Sequence, residues 1–120
     1  MKKFYRELLS SYKIKPYKEG FLLGTDTVYF GADSKTSFYI KPIDDYFEIS
    51  DLGQTLSYLN SNTDIDSYRE KISFFLKRFG AILYRGEIKS TLPPYESGQT
   101  VRCLNNFIFT VGLIANIDLI

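Results

Sequence analysis

Asp51 and the triplet Glu87-Ile88-Lys89 are the residues of this chain whose types could do chemistry together. An aspartate on one strand and Glu-x-Lys on another is the ligand set of many Mg²⁺ nucleases. Two carboxylates hold the metal, and the lysine orients the attacking water. A helix is expected between the two parts here, whereas that nuclease core usually joins them directly. Glu and Lys are also common on exposed strands, so the reading requires Asp51, Glu87 and Lys89 to converge in space.

Other catalytic sets are missing. The chain has no histidine, which removes Ser-His and Cys-His catalysis and the commonest general base. Its single cysteine, Cys103, makes neither an internal disulfide nor a Cys-rich zinc site. Within the last expected helix, Cys103 reads as a buried, inert thiol. No G-x-G-x-x-G or Walker lysine is present. Ser10-Ser11-Tyr12-Lys13 matches S-x-x-K by letter but lacks the companion motifs of penicillin-binding proteins. Asp44-Asp45 and Asp64-x-Asp66 lack the glycine and distal glutamate of a calcium loop and fit turn and cap roles better. No metal site and no cofactor is therefore expected, and the balance is against an enzyme.

A net charge of +1 gives the molecule no strong overall field toward nucleic acid or membrane. The charges are nevertheless blocked. Residues 1–18 are basic, 26–66 acidic and 69–102 basic again. Solvated faces usually explain such blocks. The sharper alternative is one phosphate-binding patch of Lys2, Lys3, Arg6, Lys13, Arg69, Lys77 and Arg78.

These side chains must be positioned by short elements. The 44% hydrophobic and 24% charged composition is that of a folded globule, and 120 residues suffice for one domain with its own core. Phe4, Tyr5, Leu8, Leu9 and Tyr12 recur at helical spacing, and Pro16 lies just past the helix end. Strands are expected over 21–23, 27–30, 37–40 and 46–50, each bracketed by Gly, Pro or Asp. Asp51 then reads as an N-cap with Gln54 as its capping-box partner, and Leu52, Leu56 and Leu59 face inward.

A second helix starts near Asp64 or Asp66. It turns Tyr68, Ile72, Phe75, Leu76 and Phe79 inward and stops at Gly80. Residues 82–84 and 87–89 form a hairpin around Arg85-Gly86. From about Ser97 to Asn116 a final helix is apolar nearly all round, which requires burial on more than one side. The expected fold is α+β: a small antiparallel sheet of about four strands plus a C-terminal hairpin, packed with three to four helices in a single domain over residues 1–120.

Phe47-Glu48-Ile49-Ser50-Asp51-Leu52-Gly53-Gln54-Thr55-Leu56 resembles the bacterial family called domain of unknown function 1828. The family pattern is a hydrophobic strand, then Ser/Thr-Asp-x-Gly-x-Thr and an apolar helix. Thr27-Val28-Tyr29-Phe30, Phe79-Gly80 and Gly86-Glu87-Ile88 agree with it in order, so the resemblance spans roughly 18–115. Leu52 stands where members often carry a second acid. The resemblance implies a small bacterial α+β domain, often carried by mobile or phage genes, and it implies no activity.

The expectation from these readings is a non-enzymatic protein-binding module. The family context adds an accessory or inhibitory action on a host defence or regulatory protein. Ten Tyr and ten Phe supply contact surface. The last helix is expected to bury Phe107, Val111 and Ile114 in a homodimer or partner interface. Nucleic-acid binding is the first alternative and a Mg²⁺ nuclease the second. The basic N-terminus lacks the apolar run of a secretory signal, and the block from Phe107 to Ala115 falls short of the roughly 18 residues of a membrane helix. A soluble, cytoplasmic protein with no membrane partner is expected.

Overall fold

The computed structural model describes residues 12–25, 36–93 and 99–119. The expected helix over residues 4–12, except for Tyr12, and the expected strand 27–30 lie outside them, as do Lys2, Lys3 and Arg6.

Six strands form one antiparallel sheet: β1 (Lys13–Tyr17), β2 (Gly20–Thr25), β3 (Thr36–Ile43), β4 (Tyr46–Ser50), β5 (Ile82–Tyr84) and β6 (Glu87–Leu92). Their order is β1-β2-β3-β4-β6-β5, so β5 and β1 are the two edges. Helices α1 (Gln54–Asn62) and α2 (Arg69–Arg78) intervene between β4 and β5, and α3 (Thr100–Ala115) follows β6. A 3-10 turn, Ile65–Tyr68, leads into α2. The chain is thus α+β, as its pattern indicates.

The strands bury one face by alternation. Phe21, Leu23, Phe38, Ile40, Phe47, Ile49, Ile88 and Leu92 point toward the helices and are buried. Leu59 of α1, Ile72 and Leu76 of α2, and Leu104, Phe107, Val111 and Ile114 of α3 complete this core. Phe38 and Phe107 meet edge to face across the two layers, with centroids 5.7 Å apart.

β1 is a strand where a helix end was expected. Pro16 does not prevent this. Tyr17 faces Gly20 across a two-residue turn with Lys18 at φ 49°. The pair closing such a turn is hydrogen-bonded, so the next pair, Pro16 and Phe21, is not. The proline nitrogen therefore faces the free edge, where no donor is needed. Gly20 is required at that corner because a Cβ there would lie 1.9 Å from the Ile40 carbonyl oxygen.

α2 ends as expected. Gly80 takes φ 74°, and the Ala81 N–H donates to the Leu76 carbonyl at 2.9 Å, a Schellman closure. Phe79, expected inward, is instead exposed just past the helix, where its ring meets Phe109 edge to face at 6.2 Å. α3 is not apolar all round. Arg102, Asn105, Asn106 and Phe109 form an exposed face opposite the buried one.

Candidate functional site

Asp51 follows β4 and is completely buried. Its Oδ1 accepts the Gly53 N–H and the Ile88 N–H, each at 2.9 Å, and its Oδ2 accepts the Thr55 N–H at 3.2 Å. The Asp51 N–H donates to the Ile88 carbonyl at 3.1 Å. Leu52 and Gly53 both take left-handed backbone, with φ 59° and 77°, and α1 starts at Gln54. The capping box does not form, because the Asp51 N–H that Gln54 would accept is bonded to β6. Gly53 is the N-cap, and Asp51 serves the first turn from two residues earlier. Leu52 lies outside the helix and is exposed. One carboxylate therefore ends a strand, opens a helix and fastens both to β6.

Glu87 and Lys89 are close to Asp51 along the chain fold but on the other side of the sheet. Asp51 extends the side of Phe47 and Ile49, next to Ile88. Glu87 and Lys89 alternate with Ile88 and face the opposite way. The Glu87 carboxylate accepts the Ser50 hydroxyl at 2.5 Å, and that hydroxyl accepts the Leu52 N–H at 3.0 Å. Lys89 lies 3.6 Å from Glu48 and 5.6 Å from the Tyr84 ring centroid. The three side chains do not converge, and the Asp51 oxygens are occupied by backbone donors. Among the described residues no cluster of three acids or cysteines is placed to hold a metal ion. Asp44 and Asp45 form the two-residue turn between β3 and β4. Asp64 and Asp66 bond Ser67 and Arg69 around the 3-10 turn.

The basic set divides. Lys13 is on β1, at one edge of the sheet, while Arg69, Lys77 and Arg78 are on α2, which packs beside β5 at the other. Five inter-strand steps of about 4.8 Å separate those edges. Phe107, Val111 and Ile114 need correction as an interface. All three are buried in the core of this one chain, against the sheet and the other helices. Their apolar spacing reports the inward face of α3.

The surface that the sequence did not single out lies at β5. Ile82, Leu83 and Tyr84 are 60%, 47% and 51% exposed. Arg85 and Gly86 both take positive φ, 50° and 81°, in the tight turn to β6. Ile88 directs both its N–H and its carbonyl to Asp51, on the β4 side. Leu83 is its register partner, so this is a non-hydrogen-bonded pair and the Leu83 N–H and carbonyl point out from the sheet edge. No group among the described residues bonds them.

On the helix side of this edge is a groove of about 500 Å³. Leu56 and Asn60 of α1, Ile65 of the 3-10 turn, Arg69, Ile72, Ser73, Leu76 and Lys77 of α2, and Ala81, Ile82 and Leu83 line it.

No family model, curated protein or solved structure matches this chain. What the site can do is therefore read from its chemistry. A half-open apolar trough beside an unpaired backbone edge offers hydrogen bonds to an extended chain and a cavity for its side chains. The sequence signal was the run Ile82-Leu83-Tyr84, but an apolar triplet does not reveal that its strand is outermost. No helix among the described residues is long and apolar enough to cross a membrane.

Proposed function

We propose that this protein is a non-enzymatic binding module that captures an extended segment of another protein along β5. The observation that carries this reading is the outward-facing N–H and carbonyl of Leu83 beside the apolar groove. Added strands gain specificity from pockets for alternate side chains, and affinity from backbone bonds. β5 is only three residues long, so it offers few bonds, and the groove supplies the larger part of the contact. The resemblance at residues 47–56 adds a bacterial or mobile-element setting in which the partner is a host defence or regulatory protein and binding assists or inhibits it; the lone Cys103 fits a cytoplasmic location.

Selection from a displayed library of random peptides tests the module. Binders with a β-rich apolar centre are expected, and their affinity should fall at least tenfold on Leu83→Pro. That change removes the outward amide while leaving the β5–β6 bonds intact. Binders indifferent to Leu83→Pro, or none at all, would overturn the reading.

A further inference from the structure

We infer that the segment captured at β5 is a heterologous, acidic-flanked apolar strand rather than a second copy of this chain. The inference rests on the strand-capture reading above and names the chemistry of the occupant.

The groove lining contains Arg69 and Lys77 and no carboxylate. Arg85, in the turn just past β5, lies with its guanidinium 5.2 Å from the Tyr84 ring centroid, on the side of the sheet away from the groove. Asp66 pairs with Arg69 at 2.7 Å and offsets its charge, so Lys77 is the lining cation without an ion pair among the described residues. Two cationic side chains thus border an apolar floor, and its excess positive charge is that of Lys77.

Register defines what the occupant presents. An antiparallel strand would exchange both bonds with Leu83 through a single residue. The side chain of that residue falls on the same face as Leu83, over the groove floor formed by Ile72 and Leu76. Residues two positions away return to the same face roughly 7 Å along, toward the charged rim. A carboxylate within two positions of the apolar anchor thus meets Lys77 or Arg69. A second copy would instead bring the same cations against one another. Juxtaposed like charges oppose association, which selects against self-pairing at this edge.

Synthetic peptides of about nine residues with a Val-Ile-Val centre, flanked by glutamates, by glycines or by lysines, serve as probes. Fluorescence anisotropy with the full chain is expected to rank them glutamate, glycine, lysine. A gap of at least tenfold between the extremes at low salt should narrow as salt screens it. The double change Arg69→Glu with Lys77→Glu, both on the exposed side of α2, should reverse the order. Equal binding of all three peptides that is lost on Leu83→Pro overturns the acidic preference and leaves strand capture intact. A dimer by light scattering that Leu83→Pro converts to monomer, with no peptide bound, makes the occupant a second copy and overturns the inference. A monomer that binds none of the peptides overturns both readings.

Discussion

Replacing Asp51 by alanine separates an architectural carboxylate from a catalytic one. The side chain accepts three backbone N–H groups, and those of Thr55 and Ile88 are buried. Removing the acceptor leaves these two donors without a partner, at about 1–3 kcal/mol each, and weakens the partly buried Gly53 contact as well. The loss is expected to be about 3–6 kcal/mol. For a chain of this size, between the ranges usually tabulated, that is a fall in Tm of roughly 10–25 °C. Native domains hold only about 5–15 kcal/mol, so the variant should sit near its folding threshold.

Asp51→Asn keeps the shape and one acceptor oxygen, but turns an amide N–H₂ toward the Thr55 N–H or the Ile88 N–H. A cost of about 1–3 kcal/mol follows. Urea titration with an unchanged slope, together with calorimetry, measures both variants. A catalytic carboxylate would behave in the opposite way: removing it would leave stability unchanged or raised and abolish an activity. Asp51→Ala within about 1 kcal/mol of the native protein would refute the bonding argument. Cleavage of DNA with Mg²⁺ or Mn²⁺ by the native chain but not by the still-folded Asn variant would restore the nuclease reading.

Ile114→Ala, at a fully buried position of α3, should cost about 2–5 kcal/mol by calorimetry and leave the oligomeric state unchanged in light scattering. Gly20→Ala places a methyl group 1.9 Å from the Ile40 carbonyl oxygen and should cost about 1–3 kcal/mol, with hydrogen exchange rising first in β1 and β2. Gly80→Ala meets no atom within 4 Å yet must hold φ 74°, so its loss should be smaller, about 1–2 kcal/mol, and less again for Gly80→Asn. Burial pushes the Tyr12 phenol above its ordinary pKa, and its O–H donates to Asn105 Oδ1 at 2.6 Å. The stabilising effect of that neutral phenol is complete below the unfolded value of about 10 and is lost as pH rises through the higher folded value. Tyr12→Phe should therefore flatten the alkaline limb of the stability curve measured by urea titration.

Much of the fold was legible because its signals are local. Period-two runs bounded by Gly, Pro and Asp placed β2, β3 and β4, and an Arg-Gly pair placed the β5–β6 turn. Gly80 marked the end of α2 because no other residue takes that backbone conformation so cheaply. What failed depended on the other layer. β1 was hidden because lysines alternating around Ile14 resemble a helix end, and Pro16 is tolerated only at the outer edge of a sheet. Asp51 looked like an N-cap because only its bonds to Gly53 and Thr55 are local, whereas Ile88, its third partner, lies 37 residues away. The apolar spacing of Phe107, Val111 and Ile114 was read correctly as a buried stripe but assigned to the wrong neighbour. The β5 surface could not be read at all. Exposure of Leu83 follows from strand order, which no local pattern carries.

The join between β4 and β6 also bears on how the molecule reaches its folded state. β1 to β4 pair in succession and need only short closures among the described strands, while β6 pairs with β5 across a tight turn. Pairing Ser50 with Lys89 instead encloses about 38 residues, an entropic cost on the order of 3 kcal/mol beyond a constant. That closure is where the two locally assembled parts become one cooperative body, and the Asp51 carboxylate lies at its end. Substitutions along the join should therefore slow refolding more than they hasten unfolding, whereas changes confined to the β1–β2 turn should do the reverse.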